Sequence, residues 1–227
     1  MQQTKLQGVS VSLSGSELKL GDKAPEISLV AADLSEVKVG GGTGKAQVII
    51  AVPSLDTDVC ATETRKFNER AASIKNTEVF VISMDLPFAA GRFCSTEGIK
   101  NLRALSDFRD KEFARAYGVL IADGALAGLT CRAVFVVDTA GKIAYKQITG
   151  DIVDEPDYDA ALNAAEATIT TEGAVMDIAG AGMQNRLYWE DFSIDAGETV
   201  RFDAGAKTKD YLNLVTGEGM SRIYGTM

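Results

Sequence analysis

A threonine and a cysteine three residues apart, Thr57 and Cys60, join an apolar run to a stretch with helical periodicity. The apolar run at 46–52 is typical of a buried strand, and residues 61–68 carry the helical pattern. A cysteine in the first turn of a helix meets unpaired N–H groups and the positive end of the helix dipole, which both favour its thiolate. Since the thiolate is the nucleophilic form of cysteine, the sequence predicts a reactive sulfur at a strand-to-helix turn.

The 227-residue chain contains no histidine. This composition excludes Ser-His-Asp and Cys-His catalysis, histidine-ligated haem and most zinc enzymes. An activated nucleophile in this chain therefore needs another source of positive charge. Arginine is the available candidate, because its guanidinium stays charged at every relevant pH.

A cysteine that cleaves peroxides needs several further groups around its sulfur. A cation stabilises the thiolate and holds the peroxide oxygens, a hydroxyl donates to one oxygen and accepts from the other, and a proline shields the sulfur from water. Pro53 and Thr57 supply two of these groups in the eight residues that end at Cys60, whereas spacing does not locate the cation. Asp58 adds a carboxylate that would oppose thiolate formation unless it points to solvent or caps the helix, and of these two we expect the cap.

Composition limits the remaining classes. The net charge of −9 argues against a nucleic-acid partner, and no apolar run approaches the roughly 18 residues of a membrane span. The N-terminus shows no signal peptide, so we expect a cytoplasmic protein. Cys60, Cys94 and Cys131 form neither a CxxC motif nor metal-site spacing, and we expect Cys131 to be a buried apolar residue and no metal to bind.

Strands and helices alternate over most of the chain, which predicts an α/β sheet with helices on both faces. The pattern ends near residue 167, and the rest shows short β-prone runs between glycine-rich turns. We therefore expect two parts, 1–167 and an all-β segment at 168–227. The predicted elements of the first part are a hairpin at 4–20, strands at 27–30, 46–52, 78–84, 101–105, 133–138 and 142–147, and helices at 60–74, 89–94, 111–117 and 157–167.

Residues 1–167 resemble the bacterial thiol peroxidases, an atypical 2-Cys subfamily of the peroxiredoxins. The resemblance implies a thioredoxin-like sandwich with an added N-terminal hairpin, usually homodimeric, without a cofactor. It implies that Cys60 is the peroxidatic cysteine, Cys94 the resolving cysteine and Arg132 the cation, with Thr57 and Pro53 completing the cradle. The stretches that carry it are Pro53–Thr57, Cys60–Thr62, Arg65–Asn68, Asp85–Ala89, Arg92–Cys94, Ala116–Val119 and Arg132–Val136.

The resemblance also implies a mechanism. The Cys60 thiolate would attack hydrogen peroxide or an organic hydroperoxide, the resulting sulfenic acid would condense with Cys94, and thioredoxin would reduce the disulfide. Bridging two cysteines requires Cα atoms within about 7 Å. Because Cys60 and Cys94 fall on different predicted helices, we expect local unfolding in each turnover.

Residues 168–227 resemble part of a filamentous-haemagglutinin-type secretion domain, which forms a β-helix. An unrelated tail that packs on the dimer is the alternative interpretation. Because such domains follow signal peptides, we also consider a fusion in which the peroxidase is an inert carrier for an adhesin fragment. The stretches that carry this resemblance are Trp189–Ile194, Gly197–Phe202, Leu212–Gly217 and Ser221–Gly225.

Overall fold

The computed structural model describes residues 2–71, 74 and 76–166, and beyond them the backbone of five strands. The chain divides into two compact units, Met1–Ala161 and Leu162–Met227. The helices are α1 (Asp58–Ala71), α2 (Pro87–Thr96), α3 (Glu112–Ala116) and α4 (Tyr158–Glu166). The strands up to residue 161 are β1 (Gln3–Leu6), β2 (Val9–Ser14), β3 (Ile27–Ala31), β4 (Glu36–Val39), β5 (Ala46–Ala51), β6 (Thr77–Ser83), β7 (Arg103–Ser106), β8 (Leu120–Ile121), β9 (Ala133–Val137) and β10 (Ile143–Ile148).

A mixed seven-stranded sheet forms the centre of the first unit. Its strand order is β10-β9-β5-β6-β7-β3-β4, so β5 lies in the interior. Every residue of β5 is buried, as the unbroken apolar run predicts for a strand covered on both faces. The hairpin β1–β2 pairs with β8 in a separate three-stranded sheet, which confirms the predicted N-terminal hairpin.

The directions of the central strands bring distant parts of the sequence to one edge. β5 runs parallel to β6 and antiparallel to β9, with Ala51 opposite Ala133. The end of β5 therefore meets the beginning of β9, and the segment before β9 lies beside the loop that leads into α1. The Thr130 hydroxyl reinforces this contact by donating to the Val52 carbonyl (2.6 Å).

Two strands were absent from the sequence-based expectation. β4 has four residues and pairs with β3, and β8 has only two residues. Runs this short carry too little periodicity to separate a strand from a loop. The second helix also begins earlier than residue 89, because Pro87 occupies its first turn, where its missing N–H is not needed.

Beyond residue 167 the described backbone consists of strands only. They are β11 (Thr168–Glu172), β12 (Val175–Ala179), β13 (Gln184–Trp189), β14 (Thr199–Asp203) and β15 (Asp210–Val215). β12 pairs with β14, and β13 with β15, both in parallel. Much of the haemagglutinin-like pattern, including Phe192 and Ile194, lies outside the described residues.

Candidate active site

Cys60 is a fully buried residue in the first turn of α1. Its helix begins where the loop after β5 turns, as the strand-to-helix pattern predicts. The buried face of α1 consists of Cys60, Glu63, Thr64 and Phe67. These residues are three or four positions apart, which is the spacing of neighbours on one helix face. The Cys60 sulfur thus points into the protein together with a carboxylate.

Arg132 is the cation beside this sulfur. Its Nη2 donates to Cys60 Sγ at 3.3 Å, Nη1 donates to Glu63 Oε2, and Nε donates to the Ile152 carbonyl at 2.8 Å. The side chain is only 2 % exposed. Burial lowers the pKa of Arg132, but the charges of Glu63 and Cys60 outweigh burial and raise it above its ordinary value. A permanent positive charge is therefore fixed against the thiol.

Glu63 is a site residue that the sequence reasoning missed. Its side chain is fully buried, and its Oε1 has no hydrogen-bond partner among the described residues. Burial raises the pKa of Glu63 to about 7, although the nearby Arg132 charge lowers it. The available signal was its position three residues after Cys60, on the face that Phe67 marks as buried.

Pro53 and Thr57 lie on the loop between β5 and α1. Pro53 is buried, whereas Thr57 is exposed, one helical turn before Cys60. The Thr57 hydroxyl donates to the Ser54 carbonyl (3.1 Å), and the Thr57 carbonyl accepts the first helical bond, from Ala61 N–H (2.9 Å).

The expectation that Asp58 caps α1 needs correction. The cap position belongs to Thr57, because Asp58 is already the first residue of the helix. The Asp58 side chain is exposed, so water screens it from the buried sulfur. A carboxylate in the first turn still interacts favourably with the helix dipole.

Asp85 fixes the loop that precedes Cys60. Its carboxylate accepts from the Ser54 hydroxyl (2.8 Å), from Leu55 N–H (2.7 Å) and from the Ser83 hydroxyl (2.8 Å). Ser83 ends β6 and Asp85 immediately precedes α2, so one side chain joins the loop before α1 to the loop before α2. Sequence reasoning gave Asp85 no role.

Cys94 lies near the end of α2 and is partly exposed. Burial raises the pKa of the Cys94 thiol, and a hydrogen bond from the Ala104 backbone lowers it. Cys60, Cys94 and Cys131 are all free thiols in this structure. Burial raises the pKa of Cys131 to about 12, which agrees with its interpretation as an unreactive core residue.

Two polar contacts connect α1 to the region just after α2. Arg65 forms an ion pair with Glu97 (2.8 Å). The Asn68 side chain accepts from the N–H groups of Lys100 and Asn101, at 2.9 and 2.8 Å. The helix that carries Cys60 is thus attached to the end of the helix that carries Cys94.

The N-terminal hairpin supports the cation from the other side. Ile152, whose carbonyl accepts from Arg132 Nε, donates its own N–H to the Lys5 carbonyl (2.8 Å). The Thr4 hydroxyl donates to the Thr149 carbonyl (2.7 Å). Strand β1 therefore stabilises the segment at 149–152, whose Ile152 carbonyl accepts from the Arg132 guanidinium.

Two kinds of feature are absent from the part of the chain that the structure describes. No group of three or more His, Cys, Asp or Glu side chains in those residues is arranged to hold a metal ion. Their helices are all too short or too polar to cross a bilayer.

Comparison with known proteins places these residues in a defined family. The family model described as Redoxin matches residues 19–162. The chain is 55% identical to a thiol peroxidase of Campylobacter jejuni over 151 residues, which cover 66% of this chain and 85% of the relative. It is 51% identical to a thiol peroxidase of Aquifex aeolicus over 164 residues, which cover 72% of this chain and 96% of the relative.

Solved structures agree with this placement. A peroxiredoxin-like protein from Aquifex aeolicus superposes with a TM-score of 0.71 at 50% identity, over 73% of this chain and 96% of the other. A thiol peroxidase from Chromobacterium violaceum superposes with a TM-score of 0.64 over 70% of this chain and 91% of the other, and at 24% identity it shows the fold alone. The predicted thioredoxin-like peroxiredoxin fold is confirmed for this part of the chain.

Proposed function

The chain belongs to the Redoxin family and is a peroxiredoxin-type enzyme with thiol-dependent peroxidase activity, and from this premise we propose that Cys60 is its peroxidatic cysteine. The observation that carries the proposal is the 3.3 Å contact from Arg132 Nη2 to Cys60 Sγ. A guanidinium cannot lose its proton in a protein, so it stabilises the thiolate at every working pH. The first turn of α1 adds the helix dipole to the same effect.

The reaction starts with attack of the Cys60 thiolate on the terminal oxygen of hydrogen peroxide or an organic hydroperoxide. The O–O bond breaks, the sulfur becomes a sulfenic acid, and the leaving oxygen takes up a proton as water or alcohol. Arg132 stabilises the charge on the transferred and leaving oxygens. Thr57 supplies the hydroxyl that orients the peroxide, and Pro53 keeps water from the sulfenic acid.

Cys94 is the resolving cysteine in this proposal. Its thiol attacks the Cys60 sulfenic acid, which forms an S–S bond and releases water. Because Cys60 is fully buried in α1 and Cys94 belongs to α2, the ends of these helices open before the sulfurs meet. Thioredoxin then reduces the disulfide.

The working molecule in this proposal is a cytoplasmic homodimer. Two large apolar side chains beside Asp85, those of Leu86 and Phe88, are 53% and 67% exposed. Such side chains favour coverage by a partner, which supports the second copy. Sedimentation of the full chain, compared with Phe88→Glu, tests this assembly.

Peptide mapping under non-reducing conditions tests the chemistry directly. Reduced protein receives one equivalent of an organic hydroperoxide, is quenched by alkylation and is digested. A Cys60–Cys94 disulfide with Cys131 still alkylated as a thiol supports both roles, and Cys131 serves as the internal control. Cys94→Ser should form the Cys60 sulfenic acid but lose turnover with thioredoxin, whereas a Cys60 that stays a thiol would refute the proposal.

The second candidate function is that of a haemagglutinin-like adhesin fragment for which the peroxidase part is only a carrier. The parallel pairing of β12 with β14 and of β13 with β15 supports it, because coils of a β-helix stack their strands in parallel. Removal of residues 168–227 discriminates between the candidates. Unchanged dimerisation and peroxidase activity would favour an added segment, and loss of both would favour an integral tail.

A further inference from the structure

Two acidic groups share one buried cation in the active site. Arg132 donates to Cys60 through Nη2 and to Glu63 through Nη1. Cys60 and Glu63 are fully buried, and Arg132 is 2 % exposed. A buried charge is tolerated when an opposite charge compensates it. One guanidinium compensates one negative charge, so a thiolate and a carboxylate together would leave an uncompensated anion in the protein interior.

The hydrogen bonds of Glu63 indicate which acid holds a proton. Its Oε2 accepts from Arg132, but its Oε1 is buried without a hydrogen-bond partner among the described residues. An ionised carboxylate needs partners on both oxygens, and leaving one unsatisfied in the interior is costly. Protonation removes the negative charge from that oxygen and lowers the cost of its isolation.

The neighbouring charges act in the same direction. Glu155, in the segment before α4, raises the pKa of Glu63 through its own negative charge, in addition to the larger effect of burial. The cation nearest to Glu155 is Lys66 on α1, and it is already paired with that carboxylate (2.5 Å). The Tyr158 hydroxyl on α4 donates to Glu155 (2.5 Å), and burial raises the pKa of Tyr158, so the phenol stays neutral. Arg132 is therefore the cation on which Cys60 and Glu63 both depend.

We propose that Glu63 stores a proton while Cys60 is a thiolate and releases that proton when oxidation removes the thiolate charge. The inference rests on the proposed peroxidase function. Glu63 acts through Arg132 and is a positioning residue. When Glu63 is protonated, the guanidinium compensates the charge of the Cys60 thiolate. When Glu63 is ionised, the guanidinium compensates the charge of the carboxylate. The site thus holds one negative charge opposite the Arg132 cation in both redox states.

The proton balance follows step by step. In the first step the Cys60 thiolate, a hydroperoxide and protonated Glu63 become the Cys60 sulfenic acid, an alcohol and ionised Glu63. The S–O bond forms, the O–O bond breaks, the sulfur loses two electrons to the peroxide, and the alcohol gains the equivalent of the Glu63 proton. Disulfide formation with Cys94 then releases water without a net proton. A dithiol reductant returns two electrons and two protons, one to the Cys94 thiol and one to Glu63.

With this balance, oxidation of the protein neither takes up a proton from the solvent nor releases one to it. Without a stored proton, conversion of a Cys60 thiolate and a Cys94 thiol to the disulfide takes up one proton per peroxide. The Glu63 pKa of about 7 carries no contribution from a Cys60 charge, and the negative charge of a thiolate raises it further. We therefore expect wild-type protein at about pH 8 to take up almost none. Glu63→Gln should take up about one proton per peroxide, and wild-type uptake should rise toward one as the pH falls below 7, where Glu63 keeps its proton in both redox states.

Infrared difference spectroscopy of the full chain tests where the proton lies. One equivalent of hydrogen peroxide is added to reduced protein at about pH 8, and disulfide formation is checked in the same sample. We expect the carbonyl absorption of a protonated carboxylic acid to disappear on oxidation, to shift with ¹³C-glutamate labelling, and to be absent from Glu63→Gln. The control is Glu36→Gln, another glutamate paired with an arginine but exposed on β4, which should keep the signal.

The outcomes separate the two proposals. If the disulfide forms but the acid absorption does not change, or if Glu63→Gln shows the same change, Glu63 has only a packing role and the inference is wrong. If peroxide produces no disulfide, the proposed function fails and the inference fails with it. The labelled wild-type protein gives the result even if Glu63→Gln does not fold.

Discussion

Arg65 on α1 and Glu97 just beyond α2 form a 2.8 Å ion pair between the helices that carry the two proposed redox cysteines. In the proposed mechanism, the junction that this pair crosses opens before Cys60 and Cys94 meet. Both side chains are partly exposed, at 43% and 31%, so water weakens their attraction. The pair is therefore suited to adjusting the opening of the helix ends without fixing them permanently.

We expect Glu97→Gln to accelerate disulfide formation. Loss of an exposed ion pair destabilises the closed form by up to about 1 kcal/mol, which is roughly a fivefold shift in the opening equilibrium. The sulfenic acid then spends less time exposed to a second peroxide, so inactivation by sulfinic acid formation requires up to about five times more peroxide. Stopped-flow kinetics and mass spectrometry measure both quantities. Glu26→Gln, which removes the 2.6 Å pair with Lys38, should change neither.

Substitution of Arg132 should strongly slow the reduction of hydroperoxides. Arg132→Lys keeps a charge but cannot reproduce three fixed donors toward Ile152, Glu63 and Cys60. Loss of one aligned donor at a developing negative charge costs about 10²–10³ in rate. We expect kcat/KM for hydroperoxide to fall by that factor, measured by competition for peroxide. Arg109→Lys, at an exposed pair with Glu36, is the control, and an active Arg132→Met would contradict the assignment.

Asp85→Asn tests whether the Asp85 carboxylate holds together the loops that precede α1 and α2. The amide keeps one acceptor oxygen, so it cannot accept all three hydrogen bonds from Ser54, Leu55 and Ser83. Loss of hydrogen bonds to a charged group costs about 1.5–3 kcal/mol each before relaxation. We expect peroxidase activity to drop and amide exchange in the loop before α1 to increase. Asp154→Asn, at an exposed position, should alter activity and amide exchange by less than the measurement error. Equal behaviour of the two variants would refute the role of Asp85 in joining the two loops.

The buried carboxyl of Glu63 gives stability a definite pH dependence. Because burial raises the pKa of Glu63 from 4.5 to about 7, the folded state binds more protons than the unfolded state in this window. This stabilising contribution is complete below pH 4.5 and is lost as the pH rises through 7, a change on the order of 3 kcal/mol. Exchange of the slowest amides of β5 measures it on reduced protein. Glu63→Gln should flatten the dependence and Glu36→Gln should keep it, whereas an unchanged slope in Glu63→Gln would overturn the explanation.

The sequence led to Cys60 as the candidate nucleophile because the signals that mark it are local. A buried strand, a turn and a helix follow one another within a short stretch, and Cys60 falls at their junction. Arg132 is 72 residues away, and only the antiparallel pairing of β5 with β9 brings it to the sulfur. Since spacing along the chain does not reveal a register between strands, physical reasoning left the cation unplaced and the family resemblance supplied it.

Glu63 and Asp85 were missed for different reasons. Glu63 reads as a solvated charge on a helix unless its position is compared with Phe67, which lies four residues later on the same buried face. Asp85 acts through hydrogen bonds to a loop 30 residues away, and no pattern in the neighbouring sequence predicts those bonds. The short strands β4 and β8 were not predicted, because they are recognised by their pairing with β3 and β2 and not by a pattern in their own residues.

The bond between the Lys5 carbonyl and Ile152 N–H has a practical consequence for the handling of this protein. Lys5 is hydrogen-bonded to the residue whose carbonyl accepts from Arg132 Nε, so we expect the loss of the first few residues to alter the position of the guanidinium. Affinity tags, protease scars and crystallisation truncations at this end belong among the variables of a kinetic experiment.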